Sequence, residues 1–311
     1  MTFQQLEYIV AVDKARHFQK AATQFGVNQS SLSATIQKLE QEIDIVIFDR
    51  TKHPIEPTPM GQRIIRQAEV ILHNSAQLRD MADNEHEDEK GELQLGMAPS
   101  VAPVLFPRFG RVMAEGAPNL DIHVHEHGSS RLIDALLRSE LDLAIMDAAD
   151  VRQANLPAVE LWTEHFMLYA SDAHPLCRRD AIRPEEMLDG NIWTLRSFHD
   201  HYPQLADVTH QASLRRTTLE SGSLQTLITA VDLNGGFTLL PESFAACLSA
   251  EQVKRMHRIT SGRYLRTMAL GVRRDYVRQR MLGLVAGAVS RIIPRQLLLP
   301  GIADNAGRIK I

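Results

Sequence analysis

The chain has 311 residues, 44% of them hydrophobic and 23% charged, with a formal net charge of -4. That length allows two or three domains at roughly 100 to 200 residues each, and the composition excludes disordered, fibrous and membrane-spanning classes. Mild acidity argues on its face against a nucleic-acid partner, but the distribution of charge reverses that reading.

Residues 1–66 carry eight Lys/Arg against seven acids, whereas residues 67–90 carry two basic groups against seven acids, and the rest is neutral. The acidity therefore sits in one stretch ending at Asp83–Gly91, which reads as a solvated helix end and hinge. Cys177 and Cys247 are too few for a disulfide scaffold and show no CxxC spacing. The first residues lack a basic-then-apolar secretory profile, and no apolar run approaches the roughly 18 residues of a membrane span. A reducing, cytoplasmic location without membrane contact is the expectation.

In chain order, Thr2 and Gln5 predict a capping box for a first helix carrying Phe3, Leu6, Ile9 and Val10. A short second helix holds Ala21, Ala22 and Phe25. Gly26 and Val27 then turn into Asn28, the N-cap of a third helix, giving a helix-turn-helix outline. In that third helix Leu32, Ile36, Leu39 and Ile43 form one buried stripe, so Ser30, Ser33, Ala34, Gln37 and Gln41 point outward with Lys38 at the edge. Small polar side chains allow close approach to a DNA groove, although a merely solvated face fits the same pattern. Phe48 to Pro57 suits a wing, with Arg50 and Lys52 reaching phosphates.

Thr58 and Pro59 open a long helix. Its Gly61, Ile64, Ala68, Ile71, Ser75, Leu78 and Ala82 trace a seam, widened by Ile65 and Leu72, of the kind that pairs with a second copy, since nothing else in the helical part is expected to cover it. Packing on the chain's own second domain is the competing reading. From Glu92 onward, short apolar runs alternate with helix-length segments: Leu93–Met97, Asp121–His125, Leu141–Met146, Phe166–Ala170, Phe237–Leu240 and Met268–Val272. This is an α/β region, whose ligands usually sit at the carboxyl ends of strands.

The segment Asn28 to Glu40, with Ile47-Phe48-Asp49-Arg50 and Pro57-Thr58-Pro59-Met60-Gly61, resembles the winged helix-turn-helix of LysR-type transcriptional regulators. The resemblance continues through Leu141-Asp142-Leu143-Ala144-Ile145, His174-Pro175-Leu176 and Asn234 to Pro241, nearly the whole chain. It implies an α/β fold with an N-terminal all-α part: a winged helix-turn-helix over 1–58, a linker and dimerisation helix with hinge over 59–90, and a periplasmic-binding-protein-like effector domain. The two α/β subdomains of that domain are expected at 91–163 plus 267–300 and at 164–266, followed by a tail at 301–311.

By the same resemblance, DNA contacts come from Gln29, Ser30, Ser33, Ala34, Lys38, Arg50 and Lys52. An effector cleft is lined by Pro99, Ser100, Val101, Gly128, Ser129, Thr194, Leu195, Arg196, Gly236 and Phe237. The implied partners are double-stranded promoter DNA, a small-molecule effector, RNA polymerase, and further copies forming a homodimer and then a homotetramer. No cofactor, metal or catalytic residue is implied. Two departures stand out: Pro59-Met60 replaces a common Glu-Ala before the glycine, and Asp44 stands where a Gly often follows the third helix.

Within the family the chain is most similar to the peroxide-sensing OxyR branch, through Ala98 to Pro103 and Thr194-Leu195-Arg196. Thr194 stands where that branch carries its first sensing cysteine, and Cys177 and Cys247 lie far apart in sequence, so an effector-responsive regulator is expected rather than a disulfide switch. An oxidative-stress-related effector belongs to this reading. The alternatives are a metabolite sensor without DNA binding and a thiol-based redox regulator. His123, His125 and His127 alternate along one strand face, a spacing that suits zinc or copper as well as a solvated or subunit-contact face. His199, His201 and His210 read as loop histidines, and Arg215 and Arg216 as a basic pair leading into a strand. No nucleophile elbow, phosphate loop, zinc-protease or dinucleotide motif is present, and the protein is not expected to be an enzyme.

Overall fold

The computed structural model describes residues 1–83, 91–188, 191–195, 215–219, 223–261, 264–274, 276 and 279–302. The chain divides into two units, one from the first 88 residues and one from most of the remainder. In the first, helix α1 spans Phe3–Ala15 and starts at the expected capping box: Thr2 Oγ1 accepts from the Gln5 N–H, and Gln5 Oε1 accepts from the Thr2 N–H at 2.7 Å. Helix α2 (Phe18–Gln24) leads through Gly26, whose φ of +64° favours glycine, into α3 (Gln29–Ile43). Asn28 caps α3 by accepting from the Ser31 N–H at 2.8 Å. At the other end Asp44 takes the left-handed conformation with φ 53°, which a short polar side chain tolerates, so the missing glycine is accommodated.

Leu32, Ile36 and Leu39 face inward and close a core with Leu6, Ile9, Val12, Phe18, Ala21 and Phe48. Strands β1 (Phe48–Asp49) and β2 (Glu56–Pro57) pair antiparallel as the wing. Helix α4 (Pro59–Asp83) begins where Thr58 Oγ1 accepts from the Gly61 N–H at 2.9 Å and donates to Val46 O at 2.7 Å. A Cβ at Gly61 would lie 2.0 Å from Ile47 O, so only glycine lets the helix sit this close to the wing.

The expectation that nothing in the helical part covers the α4 seam needs correction. Ile65 and Ala68 are buried in the winged-helix core, with Ile64, Ile71 and Leu72 packed against it, because α1 lies along the start of α4. At 1.5 Å per residue, α4 is about 37 Å long and outruns the shorter α1. Leu78 beyond the overlap is 67% exposed, and the Ala82 side chain lies outside the described residues.

The second unit alternates strand and helix: β3 (Gly91–Met97), α5 (Ala102–Gly116), β4 (Leu120–Glu126), α6 (Ser129–Leu137), β5 (Leu143–Asp147), α7 (Ala148–Gln153) and β6 (Ala158–Ala170). Then follow β7 (Ala181–Ile182), β8 (Asn191–Leu195), β9 (Arg215–Leu219), β10 (Phe237–Pro241), β11 (Met256–Ile259) and β12 (Leu265–Val272), with helices Leu224–Asn234 and Gln279–Ile292 among them. Neighbouring strands run in the order β4-β3-β5-β12-β6-β10-β8-β9, and β11 pairs with β6 and β7. The wholly buried run Leu143–Asp147 is what a central strand covered on both faces requires.

Strand β6 is shared between the two halves of this unit. Up to His165 it pairs with β12, and from Phe166 it pairs with β10 and, at Met167 to Tyr169, also with β11. The junctions expected at 163/164 and 266/267 therefore fall inside two continuous strands. The sequence reading saw only the tail of β6, because its first part packs one face and leaves the other half-exposed.

Candidate DNA-contacting face and effector cleft

On α3, Gln29, Ser30, Ala34, Gln37, Lys38 and Gln41 are exposed and Ser33 is half-buried. Ser30 Oγ donates to Asn28 Oδ1 at 2.8 Å. Arg50 reaches across from the wing, donating to Ser33 Oγ at 2.9 Å and to Glu40 Oε2 at 3.1 Å, with its guanidinium 5.2 Å from the Phe18 ring centroid. Glu40 also accepts from the Ile47 and Phe48 N–H groups at 2.7 and 3.1 Å. It is a clasp between α3 and the wing, a role that residue order alone did not reveal because its partners are seven to ten positions away. Lys52 pairs with Glu56 across the wing. Both wing cations are thus held in place by carboxylates within the domain.

Several of the candidate effector-binding residues lie at the carboxyl ends of strands. β3 and β4 run parallel with Met97 beside Glu126, so the turns after them, Pro99-Ser100-Val101 and Gly128-Ser129, are neighbours at the starts of α5 and α6. Helix starts carry unpaired N–H groups and favour negative charge. Ser100 Oγ accepts from Arg266 Nη1 at 2.7 Å. Arg266 donates through Nε to Glu164 Oε1 at 2.9 Å, and Glu164 accepts from Trp162 Nε1 at 3.1 Å and from the Ser243 N–H at 2.7 Å. This buried chain runs from the turn after β3 to the turn after β10, through side chains on the two crossing strands. Neither Glu164 nor Arg266 carried a motif, so the sequence reading missed both.

Thr194 and Leu195 end β8 and are almost buried. Arg196, like His199, His201 and His210, lies outside the described residues. Gly236 and Phe237 are placed differently from the expectation. They begin β10, with Phe237 beside Ala170 and Ile192, whereas the end of β10 that approaches Glu164 is Pro241, about 13 Å further along the strand. Phe237 is fully buried against His174, and Gly236 has φ +87° with a would-be Cβ 2.3 Å from Asn191 O. Their surroundings are packed backbone at the start of β10, and the glycine motif marks that close approach.

Cys177 and Cys247 are free and half-buried in separate short 3-10 turns, Pro175–Arg178 and Glu242–Cys247. Burial pushes both thiols up, away from the reactive thiolate. His123 and His125 lie on one face of β4, and His127 continues the line, with its N–H donating to Met97 O at 3.3 Å. Burial and the neighbouring imidazoles hold His125 below the usual histidine range.

The sequence pattern of bacterial regulatory helix-turn-helix proteins of the lysR family matches residues 3–62, and that of the LysR substrate binding domain matches residues 86–289. A hydrogen peroxide-inducible genes activator from Pectobacterium carotovorum is 30% identical over 242 residues, 78% of this chain and 80% of that protein. Among solved structures, a full-length OxyR variant from Pseudomonas aeruginosa is 26% identical with a TM-score of 0.76, covering 96% of this chain and 98% of that one. Full-length CbnR in complex with its target DNA shares the fold, with a TM-score of 0.53 at 17% identity over 93% of this chain and 99% of that one.

A winged helix-turn-helix followed by an α/β effector-binding domain defines a DNA-binding transcriptional regulator. The chain belongs to the LysR family and is OxyR-like within it.

Proposed function

We propose that the protein senses a small molecule in the cleft of its α/β unit and converts occupancy into a change in how paired winged helices meet promoter DNA. The supporting observation is the chain Ser100–Arg266–Glu164–Ser243, which links the turns of both halves through one buried ion pair. A ligand that takes Ser100 as a partner competes directly with Arg266, which gives it the differential affinity that any ligand-driven shift requires. Two helix starts and the Ser100 and Ser129 hydroxyls favour a carboxylate or other oxyanion.

On the DNA side, Gln29, Ser30, Ser33, Ala34 and Lys38 read the groove and Arg50 and Lys52 hold phosphates. The exposed part of α4 around Leu78 joins two copies, and two dimers make the working tetramer. RNA polymerase is the downstream partner, the cytoplasm the compartment, and no catalysis is involved. The relatives' names speak of hydrogen peroxide. In this chain two half-buried thiols with raised pKa favour occupancy sensing over disulfide formation.

The test is fluorescence anisotropy of the full chain on duplex DNA from its own upstream intergenic region. Affinity is expected to fall linearly on a log scale between about 50 and 200 mM salt. Absence of binding at the lower salt would leave a sensor without a DNA partner.

A further inference from the structure

The histidine line on β4 is not used by the cleft or by the DNA-contacting face. Strand β4 lies at the end of the strand order and β3 runs parallel beside it, with Glu92 next to Asp121 and Gln94 next to His123. The opposite face of β4, Leu120, Ile122 and Val124, packs on the core, so the period of two leaves Asp121, His123 and His125 on the outer face.

On that face each imidazole has an acceptor beside its Nε2. Gln94 Nε2 donates to Glu92 Oε2 at 3.4 Å, which turns Gln94 Oε1 toward His125, and His125 Nε2 lies 2.8 Å from that oxygen. An amide oxygen can only accept, so Nε2 carries the proton and Nδ1 keeps its lone pair. His123 Nε2 in turn lies 3.5 Å from Asp121 Oδ2, so a carboxylate stands beside that ring nitrogen and Nδ1 is the one not facing it. Metal-binding histidines have this arrangement: one ring nitrogen donates to a carboxylate or carbonyl, and the other binds the ion. Two imidazoles at i and i+2 on a strand stand about 7 Å apart at Cα, within reach of one shared ion.

We propose that Nδ1 of His123 and Nδ1 of His125 chelate a late first-row divalent cation on the open face of β4, with Asp121 and the Gln94–Glu92 pair as outer partners. Imidazole donors suit copper(II), nickel(II) and zinc, and copper(II) binds tightest of these at a given nitrogen site. Among the described residues no three His, Cys, Asp or Glu side chains are gathered as a closed group. The site is therefore a two-ligand one, completed by water, and open to exchange.

Titration of the full-length protein with copper(II) and with zinc, followed by calorimetry and, for copper, by the nitrogen hyperfine pattern in electron paramagnetic resonance, tests it. The expected result is one strong equivalent per chain with two nitrogen donors, copper tighter than zinc. His123→Asn and His125→Asn each reduce affinity at least roughly tenfold, and Gln94→Ala, which removes an outer partner, weakens it by about 10 to 100-fold. His127→Asn leaves affinity within about threefold, because that residue follows the end of the strand. Circular dichroism of each variant checks the fold, and Asn replacements keep the face polar. Unchanged copper binding in the His123→Asn/His125→Asn double variant overturns the proposal. So does a loss in His127→Asn that equals the loss in His125→Asn.

Discussion

Glu164 has no exposed side-chain surface and Arg266 only 2%, and each is the other's counter-charge at 2.8 Å. Breaking such a pair from one side strands a charge where water cannot reach it. Arg266→Met, which strands the carboxylate, and Glu164→Gln, which strands the guanidinium and turns an NH2 toward one of the donors Glu164 now accepts from, should therefore each cost about 3–5 kcal/mol in urea unfolding. A loss below about 1 kcal/mol in both would mean that the pair contributes packing alone. His257 titrates with the opposite consequence from a salt-bridged histidine. It is 8% exposed, and burial pushes its pKa down despite a bond to the Arg179 backbone. The unfolded chain thus takes up this proton near pH 6.5 and the folded one only at lower pH, so the contribution is complete above about 6.5 and is lost as pH falls through the folded value. A plot of unfolding free energy against pH should lose part of its acid-side slope in His257→Gln; an identical slope would remove His257 as the cause. None of these residues stood out in the sequence, since their importance depends on partners brought together by the fold.

The elements themselves were far more legible where their signals are local. Thr2 with Gln5, Asn28 and Thr58 announced three helix starts, and each makes its expected cap. Asn28→Ala should lower stability by about 1 kcal/mol in thermal or denaturant unfolding, the usual value of an N-cap. Gly61→Ala should cost about 1–3 kcal/mol by the same measurement, because α4 must move off the Ile47 carbonyl. In the wing, Lys52→Gln removes the cation proposed to meet a phosphate and should lower the slope of log affinity against log salt by about 1. Arg50→Ala should do more, since it also releases Glu40 and Ser33, so its loss of affinity should persist at high salt. A purely electrostatic effect at Arg50 would disappear there. Strands β7 and β11, of two and four residues, were not legible because they are too short to display an alternating period. The α4 seam was read in part only. Its periodicity gave the apolar face but not the fact that α1 takes the first half of it.

For the whole molecule, the order of motifs was enough to identify the architecture, because each piece predicted the next across nearly the full length. What it did not contain was the crossing of β6 and β12, whose register sets Leu265 beside His165, a pairing of residues a hundred positions apart. At this scale the two thiols also find their place. With Cys177 and Cys247 in separate turns and both held protonated by burial, the Cys177→Ser/Cys247→Ser variant should keep its full response in a reporter assay under oxidant and under metabolite challenge. Loss of the oxidant response alone would restore the thiol reading. The crossing strands have a mechanical meaning too. Two halves joined by flexible loops can swing in any direction, but halves joined by an antiparallel ribbon have one soft coordinate, the ribbon's own twist. The effector unit is then better pictured as a torsion bar than as a pair of jaws: a motion of one half against the other twists this ribbon, and its ladder of backbone hydrogen bonds resists the twist.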